Sequence, residues 1–92
     1  MSVGGGSSNF QGETHWEEDL AYVRRIKLIL KRERLTRNMS FRELAEATGI
    51  SFGYLANSER SDNQPTLLTF RRWSRALEVK IENVCAEAAA ED

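Results

Sequence analysis

The stretch SFRELAEATGISFGYLANS, which begins at Ser40, constrains the fold more than any other part of this chain. Ser40 and Glu43 have the spacing of a capping box, in which a hydroxyl and a carboxylate three residues later bond each other's backbone N–H groups. Gly49 suits the left-handed conformation that ends many helices. Ser51 is a second candidate cap, and a helix over about 52–58 follows it. The stretch therefore predicts two short helices joined by a tight turn of about three residues.

Apolar residues recur at three- and four-residue spacing before this stretch, which predicts a long helix from Trp16 to about Arg34. Thr14 and Glu17 have capping-box spacing at its start, although the cap could equally lie slightly later. Acidic residues in its first turn and basic residues toward its end match the helix dipole. The apolar pattern consists of Leu20, Val23, Ile26, Ile29 and Leu30. A short polar link over about 35–39 follows.

Two more helices are predicted after a polar loop at residues 60–66. The first starts at Pro65 or Thr66, and a short second helix is indicated by Val79, Ile81 and Val84. The residues expected on the buried side of the first are Leu67, Phe70, Trp73, Ala76 and Leu77. Since no segment has the alternating pattern of a strand, the sequence predicts an all-α domain of five helices.

The length and composition fit one small domain. The chain has 92 residues, of which 40% are hydrophobic and 29% charged, as in ordinary soluble proteins. We expect a flexible Gly/Ser-rich tail at residues 1–15, a folded domain at residues 16–86 and an acidic tail at residues 87–92. A domain of this size has little room for a deep catalytic cleft, and no catalytic set of side chains is recognisable. An enzyme is therefore not expected.

The few cysteine and histidine residues exclude several kinds of site. Cys85 is the only cysteine, so no internal disulfide can form, which suits a reducing cytosol. Cys85 and His15 cannot by themselves make a tetrahedral zinc site, and no cofactor is expected. The chain also lacks the run of about 18 apolar residues that spans a membrane, and it lacks a secretion signal. We expect a cytoplasmic protein.

Charge is distributed unevenly along the chain, although the net charge is only −1. All 13 Lys and Arg residues fall between Arg24 and Lys80, and only six acidic residues lie in that span. Both ends are acidic. A basic body of this kind attracts phosphate, which indicates nucleic acid as a partner. Solvated helical faces are the competing explanation for part of the excess.

The order of these features resembles the Cro/C1-type (Xre) helix-turn-helix family of bacterial and phage DNA-binding proteins. The resemblance covers roughly residues 20–84. It implies a lambda-repressor-like fold whose second short helix lies in the major groove of double-stranded DNA. It also implies a transcriptional regulator, repressor or antitoxin-like, that binds a pseudo-palindromic site as a homodimer. The residues that carry it are Ser40, Glu43-Leu44-Ala45, Thr48-Gly49-Ile50-Ser51, Leu55, Glu59, Gln64-Pro65-Thr66-Leu67, Ala76-Leu77 and Val79.

Carried over by position, the resemblance implies base contacts at Phe52, Gly53 and Asn57. The Asn57 amide can pair bidentately with adenine, and the Phe52 ring can pack on a thymine methyl. Gly53 lets the backbone and DNA come close, or it simply weakens the helix. Contacts to the DNA backbone are implied at Ser40, Phe41, Arg42, Ser51, Tyr54, Arg60 and Asn63.

Other positions are tied to the fold or depart from the family pattern. Family resemblance implies that Glu59 pairs with a basic residue elsewhere, expected on the first helix, although the sequence alone does not identify it. Phe41 stands where the family often has a phosphate-holding Gln, and Ser58 where a large apolar residue usually packs. Ser61 and Glu78 replace common glycines. These departures predict a weaker backbone grip, a less stable core and altered turn geometry, respectively.

The aromatic residues around the tight turn leave a second function open. Phe52 could pack on Phe41 or on a partner protein instead of a base, and Tyr54 could be a partly buried core residue. Phe and Tyr are enriched in protein interfaces, and the start of the second helix is poor in hydrogen-bond donors. A protein-interaction adaptor with the same fold, using Phe41, Phe52 and Tyr54, is therefore the alternative to DNA binding.

Overall fold

A computed structural model describes residues 15–91 of the chain as five helices, with no strand in that range. The helices are α1 (Trp16–Thr36), α2 (Phe41–Thr48), α3 (Phe52–Arg60), α4 (Leu67–Ala76) and α5 (Ile81–Ala89). The predicted all-α, five-helix class is confirmed, and the arrangement agrees with a lambda-repressor-like fold. None of these helices has the length and apolar content that crossing a membrane requires.

The helix starts follow local capping chemistry. Ser40 and Glu43 form the predicted capping box: the Glu43 N–H donates to Ser40 Oγ (3.1 Å), and the Ser40 N–H donates to Glu43 Oε1 (2.8 Å). Ser51 and Thr66 cap α3 and α4 in the same way, accepting from backbone N–H groups. These three caps fix where α2, α3 and α4 begin.

The start of α1 agrees with the later of the two cap positions that the sequence left open. Its N-cap residue is His15, which makes no side-chain capping bond, and Thr14 lies outside the described residues. Glu17, Glu18 and Asp19 occupy the first turn, where negative charge favours the helix dipole. The start of α1 is therefore stabilised by these carboxylates interacting with the helix dipole, and not by a capping bond from the His15 side chain.

The core lies between α1 and the four shorter helices. Helix α1 packs on α3 and α5, α2 packs on α3 and α4, and α4 also packs on α5. The side chains of the core are those of Ile26, Ile29, Leu30, Leu44, Leu55, Phe70, Trp73, Leu77, Val84 and Ala88. Burial of these side chains is the main favourable term in folding, and it fixes the orientation of α2 and α3.

Helix α4 shows one wrong expectation. Leu67 was predicted on its buried side, but its side chain is 73% exposed. Leu67 is the first helical residue, and the helix enters the core only at Phe70 and Trp73, which stack with ring centroids 6.2 Å apart. The buried side of α4 therefore begins one turn later than the apolar pattern of the sequence predicted.

The last helix continues into the alanine-rich segment. Residues 87–89, assigned to an acidic tail on sequence alone, are the end of α5. Ala88 is fully buried, and the Arg25 Nε–H donates to its carbonyl oxygen (2.8 Å). Glu87 pairs with Arg32 on α1 (2.6 Å). This turn of α5 therefore packs directly on α1.

Candidate nucleic-acid interface

Helices α2 and α3 are joined by a turn that its own side chains hold in place. Gly49 has a φ of 75°, the predicted left-handed conformation, which costs glycine nothing. Thr48 Oγ1 donates to the Leu44 carbonyl (2.8 Å) and accepts from the Ile50 N–H (3.1 Å). Leu44 and Leu55 are both fully buried at the α2–α3 contact. The two helices therefore form one fixed unit, as the sequence pattern predicted.

One face of α3 is open to solvent while the other is buried. Leu55, Ala56 and Ser58 face the core. On the open face, Phe52 is 50% exposed and Tyr54 38% exposed. Gly53, Asn57 and Arg60 are also exposed. The three predicted base-contact residues are thus all accessible, as are two of the predicted backbone contacts, Tyr54 and Arg60.

Phe41 and Phe52 pack against each other across the turn. Their ring centroids are 6.0 Å apart and their planes meet at 77°, the edge-to-face geometry that aromatic pairs favour. Behind them, the Arg34 guanidinium lies 4.1 Å from the centroid of the Phe41 ring. In front, the Arg42 guanidinium lies 6.0 Å from the centroid of the Phe52 ring. The four side chains form a continuous series of ring–ring and cation–π contacts from Arg34 to Arg42.

The sequence left open whether Phe52 packs on Phe41 or on a partner protein instead of a base, and in the structure it packs on Phe41. This edge-to-face contact leaves half of the Phe52 side chain exposed. Phe41 itself is half-buried, and its ring contacts both Arg34 and Phe52. It therefore supports the start of α3. The family position that often carries a phosphate-binding Gln is here an aromatic support.

Glu59 anchors the end of α3 to α1, and its partner is Arg34. Arg34 donates from Nε to Glu59 Oε2 (2.7 Å) and from Nη2 to Oε1 (3.2 Å). The remaining guanidinium nitrogen donates to the Met39 carbonyl (2.8 Å). The Glu59 side chain is only 4% exposed, so this bidentate pair is largely shielded from water. The implied tie to a basic residue of the first helix is confirmed.

A second polar cluster, unforeseen from the sequence, fixes the loop after α3. Lys27 of α1 is buried, and its ammonium donates to the carbonyl oxygens of Ser61 (2.9 Å) and Asn63 (2.6 Å) and to Asn63 Oδ1 (2.8 Å). Burial lowers the pKa of Lys27 from its usual value. Asn63 Nδ2 donates in turn to the buried Ser58 hydroxyl (2.8 Å). These residues are called here the Lys27 cluster.

The Lys27 cluster explains one departure from the family pattern and bears on one predicted contact. At Ser58, where the family often has a large apolar residue, the hydroxyl accepts a bond from Asn63, which a leucine could not do. Asn63 was predicted to contact the DNA backbone, yet both ends of its amide are engaged within the fold. The sequence signal for this cluster was the lysine placed one residue after Ile26, in the apolar pattern of α1.

The remaining predicted backbone contacts lie at the helix starts. The Ser40 and Ser51 hydroxyls each accept a capping bond, from Glu43 and Tyr54 respectively. A hydroxyl that accepts one bond still has its O–H to donate. Both serines are exposed, at the N-termini of α2 and α3, where backbone N–H groups and the helix dipole also favour anions.

Arg72 lies closer to the turn than its sequence context suggested. With Arg71 and Arg75 it forms an exposed basic cluster on α4. Its guanidinium lies 3.9 Å from where a Cβ on Gly49 would sit, whereas at Gly53 nothing beyond the adjoining residues and the backbone of α3 itself lies within 4 Å of the equivalent position. Basic charge therefore flanks the α2–α3 turn from α4, and the outer surface of α3 is unobstructed at Gly53.

A comparison with protein families identified one match. A family model described as helix-turn-helix, of the Cro/C1 type, matches residues 30–84. That range runs from the second half of α1 to the first half of α5 and includes the whole α2–turn–α3 unit. Searches of curated proteins and of solved structures gave no match.

Proposed function

Because the chain belongs to the Cro/C1-type helix-turn-helix family of DNA-binding proteins, we propose that it is a sequence-specific binder of double-stranded DNA, not an enzyme. In this proposal α3 lies in the major groove while α2 crosses the DNA backbone. The observation that carries it is the two-sided character of α3. Leu55 and Ser58 are held in the core, whereas Phe52, Gly53 and Asn57 are exposed.

The base contacts in this proposal are few. The Asn57 amide pairs with an adenine edge, and the Phe52 ring packs on a thymine methyl. Gly53 adds no side chain, which lets the α3 backbone approach the groove. A reader with so few polar groups depends strongly on DNA shape and deformability for the rest of its specificity.

Contacts to phosphate supply most of the affinity. Ser40, Ser51 and Tyr54 offer hydroxyl donors, and Arg60 at the end of α3 offers an exposed guanidinium. Arg72 beside the turn adds positive charge to the same side of the molecule. Such contacts release counterions from DNA, so the affinity falls as salt is raised.

We further propose that the protein is a transcriptional regulator, of the repressor or antitoxin kind, that acts as a homodimer. A single α3 covers only a few base pairs, so useful specificity requires two copies related by a two-fold axis on a pseudo-palindromic site. Bound protein then blocks or recruits polymerase by occupying the groove.

Selection from a random duplex pool at two salt concentrations tests DNA recognition. We expect an enriched motif with two-fold symmetry, an affinity that falls steeply with salt, and two chains per selected duplex by sedimentation. A motif without symmetry, bound by one chain, would contradict the dimer alone.

The Asn57→Ala variant tests the direct reader. Loss of a bidentate amide–adenine contact should weaken binding to the selected site about tenfold. Asn83→Ala is the matched control, because Asn83 is an exposed asparagine on α5, outside the α2–α3 unit. Equal affinities of both variants and the parent protein would argue against Asn57 as a base contact.

The protein-interaction adaptor is the second candidate, and the exposed aromatic surface favours it. Phe52 and Tyr54 together present a partly apolar surface beside Phe41. An adaptor predicts no enriched motif in the duplex pool. It also predicts loss of partner binding in Phe52→Ala, with Asn57→Ala unaffected.

A further inference from the structure

Phe52 is more rigidly held than an exposed aromatic residue at a helix start would be by itself. Phe41 contacts it edge-to-face from α2, and Arg34 closes the other side of Phe41 at 4.1 Å. Arg34 is in turn fixed by its bidentate bonds to Glu59. The half of the Phe52 ring that remains exposed is therefore presented from a fixed base, with little rotamer freedom left to lose on binding.

Arg42 lies over the same ring. Its guanidinium is 6.0 Å from the Phe52 ring centroid, within the range of a cation–π contact. Within residues 15–91 the guanidinium makes no ion pair or hydrogen bond, so its N–H donors remain available. An apolar face and a set of fork-shaped donors thus meet at one point of the interface.

These two side chains match two neighbouring features of the major groove. An apolar ring packs on the 5-methyl group of a pyrimidine, and an arginine fork donates to O6 and N7 of guanine. Because the ring and the guanidinium are in contact, the two bases that they contact must be neighbours.

We propose that Phe52 and Arg42 together recognise a 5-methylpyrimidine next to a guanine, and that the methyl group is a determinant of specificity. The proposal rests on the proposed DNA-binding function and reassigns Arg42 from the DNA backbone to a base edge. Thymine and 5-methylcytosine both carry this methyl group in the major groove, whereas uracil and unmodified cytosine lack it. Phe41 is the positioning residue, since it holds the ring.

The test alters the DNA, so that the fold of the protein is unaffected. In one arm, the thymine next to guanine in the selected site is replaced by uracil, which removes only the methyl group. In the other arm, that position carries cytosine or 5-methylcytosine. We expect each methyl group to strengthen binding about fourfold, the amount that burial of one methylene-sized group provides.

Protein variants then assign the effect to the two residues. Phe52→Ala should bind the methylated and unmethylated duplexes equally, and Arg42→Gln should lose its preference for the neighbouring guanine by about tenfold. Arg75→Gln is the matched control, an exposed arginine of the α4 cluster that should keep the preference for guanine whatever it contributes to overall affinity. Thermal unfolding of each variant confirms that it is folded.

The outcomes separate this proposal from the one on which it rests. An absence of any enriched motif would overturn DNA recognition itself. An enriched motif whose affinity ignores the methyl group in both arms would overturn only the role of Phe52 and Arg42. A preference in both arms supports the shared methyl chemistry, and a preference in one arm identifies the base that supplies it.

Discussion

Arg34 has three roles that depend on its planar guanidinium. It pairs with Glu59, donates to the Met39 carbonyl and lies over the Phe41 ring. A lysine could supply the charge, but it lacks the fork that bonds both carboxylate oxygens and the flat face that stacks on an aromatic ring. One side chain thereby links α1, α3 and the start of α2.

Removal of Arg34 should be strongly destabilising. In Arg34→Met the Glu59 carboxylate would stay buried without its partner, which lowers the free energy of unfolding by about 3–5 kcal/mol. Urea unfolding followed by circular dichroism measures the change.

The Arg24–Asp62 pair is the matched control for this prediction. It is also bidentate, at 2.8 and 2.9 Å, but both of its side chains are largely exposed. Exposed pairs contribute little, so Arg24→Met should leave the urea midpoint close to that of the parent protein. Equal losses in the two variants would contradict the role assigned to burial of the Arg34–Glu59 pair.

Lys27 is the second residue whose substitution should be costly. Lys27→Met keeps the length and apolar character of the side chain but leaves three oxygen acceptors of Ser61 and Asn63 without their donor. Unsatisfied groups of this kind cost about 1–3 kcal/mol in the free energy of unfolding. Lys31→Met, at an exposed position of the same helix, should change it by less than about 0.5 kcal/mol.

At the scale of the elements, the two helix ends where the family often has glycine, Glu78 and Ser61, differ in backbone conformation. Glu78, after α4, has a φ of 61°, a left-handed conformation that is strained for a residue with a Cβ. Ser61, after α3, has a φ of −114° in extended backbone, where glycine confers no advantage. The same departure from the family pattern is therefore strained at one helix end and neutral at the other.

This difference predicts the outcome of two glycine substitutions. Glu78→Gly should raise the free energy of unfolding by about 1 kcal/mol, since glycine adopts the left-handed conformation without strain. Ser61→Gly should not raise it, because it adds freedom to the unfolded chain and removes the hydroxyl that accepts from the Asn63 N–H (3.4 Å). Thermal unfolding of both variants provides the comparison, and stabilisation by Ser61→Gly would contradict this account.

Over the whole molecule, ion pairs connect α1 to distant parts of the chain. Arg24 reaches Asp62 in the loop after α3, and Arg32 reaches Glu87 on α5. Hydrogen bonds from these arginines hold the pKa values of Asp62 and Glu87 below their usual range, and Arg32 also lowers the pKa of Glu33. These carboxylates bind protons more tightly in the unfolded chain than in the folded one.

Acid should therefore destabilise the fold. The contribution of each depressed carboxylate is fully present above its unfolded pKa of about 4 and is lost as the pH falls through the folded value. The urea midpoint should fall between pH 6 and pH 3 (about the range in which carboxylates titrate). Arg32→Gln should show a smaller fall, since Glu87 loses the partner that lowers its pKa and Glu33 keeps only Arg37. An unchanged fall would contradict this assignment.

The local parts of this fold were predictable because the interactions that set them lie within a few residues. The Ser40–Glu43 capping box, the Ser51 cap and the left-handed Gly49 each depend on neighbours three or four positions away. The pattern of apolar residues likewise determined the number of helices. Leu67 was misplaced because periodicity does not reveal at which turn a helix reaches the core.

The sequence by itself thus determined the helix class, the caps and turn of the α2–α3 unit, and the family to which the chain belongs. Only the tertiary structure decided which side chains meet across long separations. It paired Glu59 with Arg34, enclosed Lys27 with Asn63, and placed Arg72 beside Gly49. The physical reason is that such contacts depend on how whole helices pack, and the identity of a charged residue does not specify which opposite charge, or which aromatic ring, the packing brings within reach.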